Sequence, residues 1–226
     1  MCLIIYKPQD SIVTKADLRS AWHNNPDGVG LAYFDQNMIK VHKGLMSFKE
    51  AYKLISTLKN KELVIHFRFA THGSILPENT HPFEIHHDIE ISKKCLDPKS
   101  ILFHNGVISG FGSNTLSDTC HFTTSILSKI DSLEDRFNLL ESVGSKYIVM
   151  DLDNNLIQLI GKFEDYKGLK VSNLYSLQRD YFWTRSKGKT SKYFDKYSFM
   201  DQNYDPYTDV IDYPTQEDFK KILNKK

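Results

Sequence analysis

Met1-Cys2-Leu3-Ile4-Ile5-Tyr6 is the stretch from which the rest of the chain is read. Leu3 to Tyr6 is an unbroken apolar run, the pattern of a strand buried on both faces, and it would fasten the start of the chain into a rigid sheet. Cys2 stands directly before it. If Met1 is removed, Cys2 carries a thiol and a free α-amine on the same carbon. That amine titrates near ~8, so it can take the proton of its own thiol, much as an N-terminal threonine is activated by its amine. Read without that chemistry, Cys2 is a small apolar residue that opens a strand.

Moving outward, Thr14 with Asp17 three residues on has the form of a capping box. Leu18, Ala21 and Trp22 give the helix that follows an apolar face, and it should stop near Asn24-Asn25-Pro26. Asn25-Pro26-Asp27-Gly28-Val29-Gly30 is turn chemistry. Val29 to Phe34 and Met38 to His42 read as strands joined through Asp35-Gln36-Asn37. Ser47 opens a helix in which Phe48, Ala51, Tyr52, Ile55 and Leu58 recur at helical spacing.

Leu63 to Phe69 is the next buried strand, and it carries Arg68 into the polar cluster Ala70-Thr71-His72-Gly73. A guanidinium inside an apolar run is costly unless an anion meets it. Either a structural carboxylate or a substrate carboxylate held bidentately would serve. Asn79-Thr80-His81-Pro82-Phe83 is expected as a loop, and Glu84 to Ser100 as an irregular or short-stranded excursion. Ile101 to His104 reads as a short strand turning at Asn105-Gly106 into Val107-Ile108, a hairpin signature. The same turn could aim a backbone N–H and the Asn105 amide into one cavity, as an oxyanion hole requires. Ser117-Asp118-Thr119 begins a helix that continues through Phe122, Ile126 and Leu127. Leu133 to Val143 is a further helix, and Tyr147 to Leu152 with Leu156 to Ile160 makes an antiparallel hairpin.

Composition narrows the function classes. The 226 residues, 40% hydrophobic and 12% aromatic, suit one main globular domain plus a tail. Lys+Arg 29 against Asp+Glu 28 leaves a net charge of +1, so no charge excess points to nucleic acid or a membrane surface. The cysteines Cys2, Cys95 and Cys120 are odd in number and widely spaced, which suggests neither a disulfide framework nor a zinc site and fits a reducing compartment. No apolar run reaches the roughly 18 residues of a spanning helix, and there is no signal-peptide layout, so a cytoplasmic location is expected. Asp151 to Asn155 begins like a calcium loop, but Leu156 and Lys162 occupy the glycine and glutamate positions. Gly110-Phe111-Gly112 lacks the third glycine of a dinucleotide fingerprint. The histidines show no ligand pairing with a carboxylate, so no metal and no cofactor is expected.

The ordered set Cys2, Asn25 to Gly30, His66 to Gly73, His81-Pro82-Phe83, His104 to Ile108 and Ser117-Asp118-Thr119 resembles the class II glutamine amidotransferase domain of the N-terminal nucleophile hydrolases. The resemblance covers about Met1 to Ile160. It implies an α+β fold, a four-layer α/β/β/α sandwich of two antiparallel sheets, with Cys2 at a strand end. It also implies roles. Cys2 would attack the side-chain amide of glutamine, with its own α-amine as base, and Asn105 and the Gly106 N–H would form the oxyanion hole. Arg68, with Thr71 and His72 beside it, would hold the α-carboxylate of glutamine, Asp118 would meet its α-ammonium, and Asp27 and Gly28 would belong to a covering loop.

Leu3 stands where many relatives have glycine, and Cys120 where an acidic residue is common; neither change removes a catalytic group. The domain is expected over 1–184, followed by a Tyr/Lys-rich tail over 185–226 with a short terminal helix from Thr215 to Leu223. Such a tail is too short for the synthetic module that usually consumes the ammonia. The expectation is therefore a stand-alone glutaminase domain supplying a separate acceptor enzyme or subunit, with the tail as a docking surface and a homo-oligomer as a possible assembly. Two other readings stay open: an amidohydrolase of a γ-glutamyl or other small amide metabolite, and a non-catalytic regulatory relative.

Overall fold

The protein is represented by a computed structural model that describes residues 2–177. The expected tail over 185–226, the last residues of the expected domain and the state of Met1 lie outside the described residues. In chain order the elements are β1 (Leu3–Lys7), α1 (Lys15–Asn24), β2 (Val29–Asp35), β3 (Met38–Leu45), α2 (Phe48–Thr57), β4 (Leu63–Phe67), β5 (Phe83–Glu84), α3 (Ile89–Lys94) and β6 (Ser100–Asn105). They continue with α4 (Asp118–Ser125), α5 (Leu133–Val143), β7 (Lys146–Asp151), β8 (Leu156–Ile160), β9 (Glu164–Tyr166) and β10 (Leu169–Val171). The class is α+β, with two antiparallel sheets in the orders β3-β2-β4-β1-β10-β9 and β5-β6-β7-β8.

β1 is central in the six-stranded sheet, between β4 and β10, which is why its run of apolar residues has no polar face. Its side chains alternate between two cores. Leu3 and Ile5 join Val29, Leu31, Leu63, Ile65 and Phe67 against Leu18 and Trp22 of α1 and Ala51 and Ile55 of α2. Ile4 points the other way and joins Ala32, Ile39 and Val64 against Ile101, Phe103, Ile148 and Met150 of the four-stranded sheet. A third cluster sets Leu102, Tyr147, Val149 and Ile160 against Phe122 of α4 and Leu140 of α5.

The local signals explain the element ends. Thr14 and Asp17 form the capping box, Thr14 accepting from the Asp17 N–H while the Asp17 carboxylate accepts from the Thr14 N–H at 3.0 Å. Ser47 and Ser132 cap α2 and α5 through their side chains. Gln36 and Asn37, both at positive φ, close the β2–β3 hairpin.

Three expectations need correction. Asn105-Gly106 does not close a hairpin: β6 ends at Asn105 and pairs with β5 and β7, while 107–108 leaves the sheet. A long-range partner overrides the local turn signal, because the Ile108 N–H donates to the Asp118 carboxylate at 2.8 Å. Within Glu84 to Ser100 lies a six-residue helix, α3, capped by Asp88, which accepts from the Glu90 and Ile91 N–H groups. Phe83 and Glu84 form a short strand on β6 rather than a loop end. No helix among the described residues is long and apolar enough to cross a membrane.

Candidate active site

The β1–β4 register sets Leu3 opposite Phe67, so Cys2 falls beside the residues that leave the end of β4. Its Sγ donates to the Phe69 carbonyl at 3.4 Å and lies 3.3 Å from the Phe69 N–H, which donates to it. The Asn173 amide donates to the Cys2 carbonyl at 2.9 Å. Burial pushes the Cys2 thiol up from its ordinary pKa, and the Phe69 N–H and the Arg68 charge oppose that rise. The thiolate thus has both a donor and a cation in place.

Arg68 is buried, and its guanidinium is used locally: Nη1 donates to the Ser74 carbonyl at 3.0 Å, and Nη2 to the His72 and Gly73 carbonyls at 2.9 and 3.3 Å. It makes no ion pair with a carboxylate among the described residues. Asp27 and Asp118 are near enough to favour its charged form, which burial alone disfavours. Arg68 therefore shapes the 72–74 loop and leaves positive charge beside Cys2.

Asp27 accepts from the Ala70 N–H at 2.7 Å, and its own N–H donates to the Arg68 carbonyl at 3.0 Å. Burial raises the Asp27 carboxyl while that N–H lowers it. Gly28, at φ +109°, accepts the Arg68 N–H; a Cβ there would come within 2.7 Å of Thr80 Cγ2. The expected covering loop is thus pinned along the chain that carries Arg68.

Asp118 opens α4, and both its oxygens are occupied, Oδ2 by the Ile108 N–H and Oδ1 by the Thr119 N–H, each at 2.8 Å. Ser117 precedes the helix without a side-chain cap bond, while the Asp118 carboxylate accepts from the Thr119 N–H in its first turn. Gly106 follows β6; a Cβ there would sit 1.8 Å from Ser145 Oγ and 2.9 Å from His104 Nε2, so a side chain would have to displace both. Asn105 is buried, its Nδ2 2.8 Å from Ser172 Oγ and its Oδ1 without a partner.

Behind this surface lie three buried histidines. His66 Nε2 is 3.0 Å from the His104 carbonyl, which can only accept, so that nitrogen carries the proton. His81 Nε2 and His104 Nδ1 both meet Thr119 Oγ1, at 3.2 and 2.9 Å. The His66 and His81 rings are 4.0 Å apart. Burial pushes His66 down to about 3 and His104 to about 4, and His81 well below its ordinary value. At neutral pH they form an uncharged cluster joining the two sheets.

Of the residues expected at the site, Cys2, Arg68, Thr71, His72, Gly106 and Asp118 line one small concave space that opens to solvent. Asn105, Asp27 and Gly28 do not line it. His81, His104 and Thr119 do, and the sequence offered them only as parts of longer motifs. Ser172 and Asn173, which support Asn105 and Cys2, were not anticipated. The polar run Ser172-Asn173 directly after the apolar strand β10 was the available signal.

No protein-family model matches the chain, and no curated protein matches it by sequence. Among solved structures, it is similar to glutamine phosphoribosylpyrophosphate (PRPP) amidotransferase from B. subtilis complexed with ADP and GMP, with a TM-score of 0.50 and 20% identity. The match covers 78% of this chain and 42% of that one, so the chain spans less than half of that protein's length. At this identity the likeness is one of fold.

Proposed function

We propose that this chain is a glutamine amidotransferase-type amidohydrolase, releasing glutamate and ammonia from glutamine for a separate acceptor enzyme. The observation that carries the reading is the placement of Cys2 Sγ on the Phe69 N–H, at the edge of a space that also holds Arg68 and Asp118. A nucleophile with a positive and a negative group around it suits a zwitterionic amino acid. The fold likeness to a glutamine amidotransferase supports the same class. The three apolar clusters support a four-layer α/β/β/α stacking, with helices outside two facing sheets.

In this reading Met1 is removed and the Cys2 amine takes the thiol proton. The sulfur adds to the side-chain amide carbon, and the charge on the tetrahedral oxygen is met by the Gly106 N–H and the Asn105 amide. The amine returns the proton to the departing nitrogen, which leaves as ammonia. Water then cleaves the thioester to glutamate and regenerates the thiol. Arg68, flanked by Thr71 and His72, faces the α-carboxylate, Asp118 the α-ammonium, and Asp27 and Gly28 hold the loop over the substrate.

Arg68 favours a second reading, because both its Nη atoms already serve backbone carbonyls. A small amide without an α-carboxylate would ask less of the guanidinium, whereas a γ-glutamyl compound presents the same amino-acid head as glutamine and differs in its leaving group. The test is intact mass before and after incubation with a glutamine-mimicking diazoketone, with Cys2→Ala as control. Loss of the methionine mass and one adduct absent from the control supports the glutamine reading. A processed but unreactive Cys2 moves the substrate to another amide, and a retained Met1 without adduct overturns catalysis.

A further inference from the structure

Two amides next to the site are held in different ways. Asn173 is satisfied at both ends: its Nδ2 donates to the Cys2 carbonyl at 2.9 Å, and its Oδ1 accepts from the Ser176 N–H at 3.0 Å. An N–H can only donate, so this amide has one possible orientation. Asn105 has no such lock. Its Nδ2 is placed 2.8 Å from Ser172 Oγ, while its Oδ1 is buried with no partner.

Ser172 resolves this. Its Oγ already accepts from the Ile4 N–H at 2.8 Å, and with Asn105 Nδ2 as a second donor its own hydroxyl proton would have no acceptor. A buried amide oxygen and a buried hydroxyl proton would then both be unsatisfied, and each would forfeit its hydration without a protein partner. Turning the Asn105 amide by half a turn gives the hydroxyl proton and the amide oxygen each other as partners, since oxygen and nitrogen of an amide occupy nearly the same positions, and leaves the NH₂ as the one group without a partner. The hydroxyl then donates to Asn105 Oδ1, and Nδ2 takes the place of the unpartnered oxygen. Ser172 is fully buried and is itself fixed, its N–H donating to the Ile4 carbonyl at 2.9 Å and its carbonyl accepting from Lys146 Nζ.

We propose that Ser172 is a positioning residue for the reaction: its hydroxyl accepts from Ile4, two residues after the nucleophile, donates to Asn105 Oδ1, and so leaves the Asn105 NH₂ free for the developing oxyanion. The inference rests on the glutamine-hydrolysis reading. Asn105 does not itself line the space, but its chain neighbours His104 and Gly106 do, which brings its backbone beside Cys2. One hydroxyl then ties the strand that carries the nucleophile to the strand end that carries the oxyanion donor.

Ser172→Ala and Ser172→Thr are compared with the wild-type full chain. Steady-state glutamine hydrolysis, Cys2 alkylation by iodoacetamide and the side-chain amide NMR signals of Asn105, assigned with Asn105→Asp, are recorded for each. Iodoacetamide reacts by displacement and develops no oxyanion, so it reports the thiol alone. The expected result for Ser172→Ala is a kcat lower by about ten- to a hundred-fold with KM within about two-fold, short of the full loss of an oxyanion donor. Its alkylation rate stays at the wild-type value, its Asn105 amide signals shift, and Ser172→Thr restores kcat. An unchanged kcat in an active protein, or equal loss of kcat and alkylation, overturns the proposal. If the wild type does not hydrolyse glutamine, the functional reading fails. The NMR arm then decides the Ser172–Asn105 contact by itself, and unmoved Asn105 signals overturn it.

Discussion

Cys2 and Cys95 are both thiols raised by burial, with a backbone donor and a cation opposing the rise in each case, but only Cys2 lines an open space. Cys2 Sγ receives the Phe69 N–H and has the Arg68 guanidinium close by, so a negative sulfur finds a donor and a cation. Cys95 Sγ donates to the Pro82 carbonyl at 3.4 Å and the Ser92 carbonyl at 3.2 Å, which favour the protonated thiol, while the Glu84 backbone and Lys43 pull more weakly the other way. It ends α3 in a left-handed conformation, 4% exposed, and burial pushes it up to about 12. Lysine near a thiol does not reverse this: Lys43 pulls Cys95 down, but Lys43 is itself pushed down to about 8 by burial and shares the Pro82 carbonyl. The difference teaches that a donor and a cation near a buried thiol do not make it reactive without an open space in front of the sulfur.

The largest expected contrast is in turnover. Cys2→Ala should lower glutamine hydrolysis by on the order of 10⁴-fold or more, as loss of a nucleophile does, while Cys95→Ala stays within about two-fold, in an assay of released ammonia. Equal losses would erase the comparison. Next comes reactivity: native protein treated with iodoacetamide should be labelled at Cys2 at least ~100-fold faster than at Cys95 or Cys120. Peptide mass mapping with and without denaturant reads this directly.

The histidine cluster links the two thiols, since His81 lines the space beside Cys2 and the next residue, Pro82, supplies the carbonyl for Cys95. Folded His66 and His104 titrate near 3 and 4, below the ordinary 6.5. Between 6.5 and those values the unfolded chain binds more protons than the folded one, so stability falls as pH falls. Each histidine should contribute a slope of about 1.4 kcal/mol per pH unit in that window. Denaturant titrations from pH 7 to 5 should show this loss, and a flat profile would mean that the folded histidines take up protons at the same pH as the unfolded ones. Arg68→Ala should have a smaller effect, about 1–3 kcal/mol of stability, because the carbonyls of His72, Gly73 and Ser74 lose their donor. Thermal melts would register it; an unchanged melting temperature with a raised KM would assign Arg68 to substrate instead.

Much of the frame is legible in local pattern. The apolar run of β1, the Thr14–Asp17 box and the Gln36–Asn37 turn each act over a few residues, so the chain itself announces them. The site is legible less evenly. Arg68, Asp118 and Gly106 meet Cys2 in one space, whereas Asn105 is turned toward Ser172. The Asn105-Gly106 hairpin signal misled because the Asp118 carboxylate, ten residues away, captures the Ile108 N–H.

The sequence alone determined the β2–β3 and β7–β8 hairpins, the starts of α1, α2, α4 and α5 and the residue types able to act on an amide, because hydrophobic period, caps and turn chemistry depend on near neighbours. Tertiary structure decided which polar atoms find partners. It placed Phe69 against Cys2 and Ser172 against Asn105, each across 67 residues of chain, and it spent the Arg68 donors on a loop. Those pairings come from strand register and sheet packing, in which a shift of one residue turns every side chain to the opposite face.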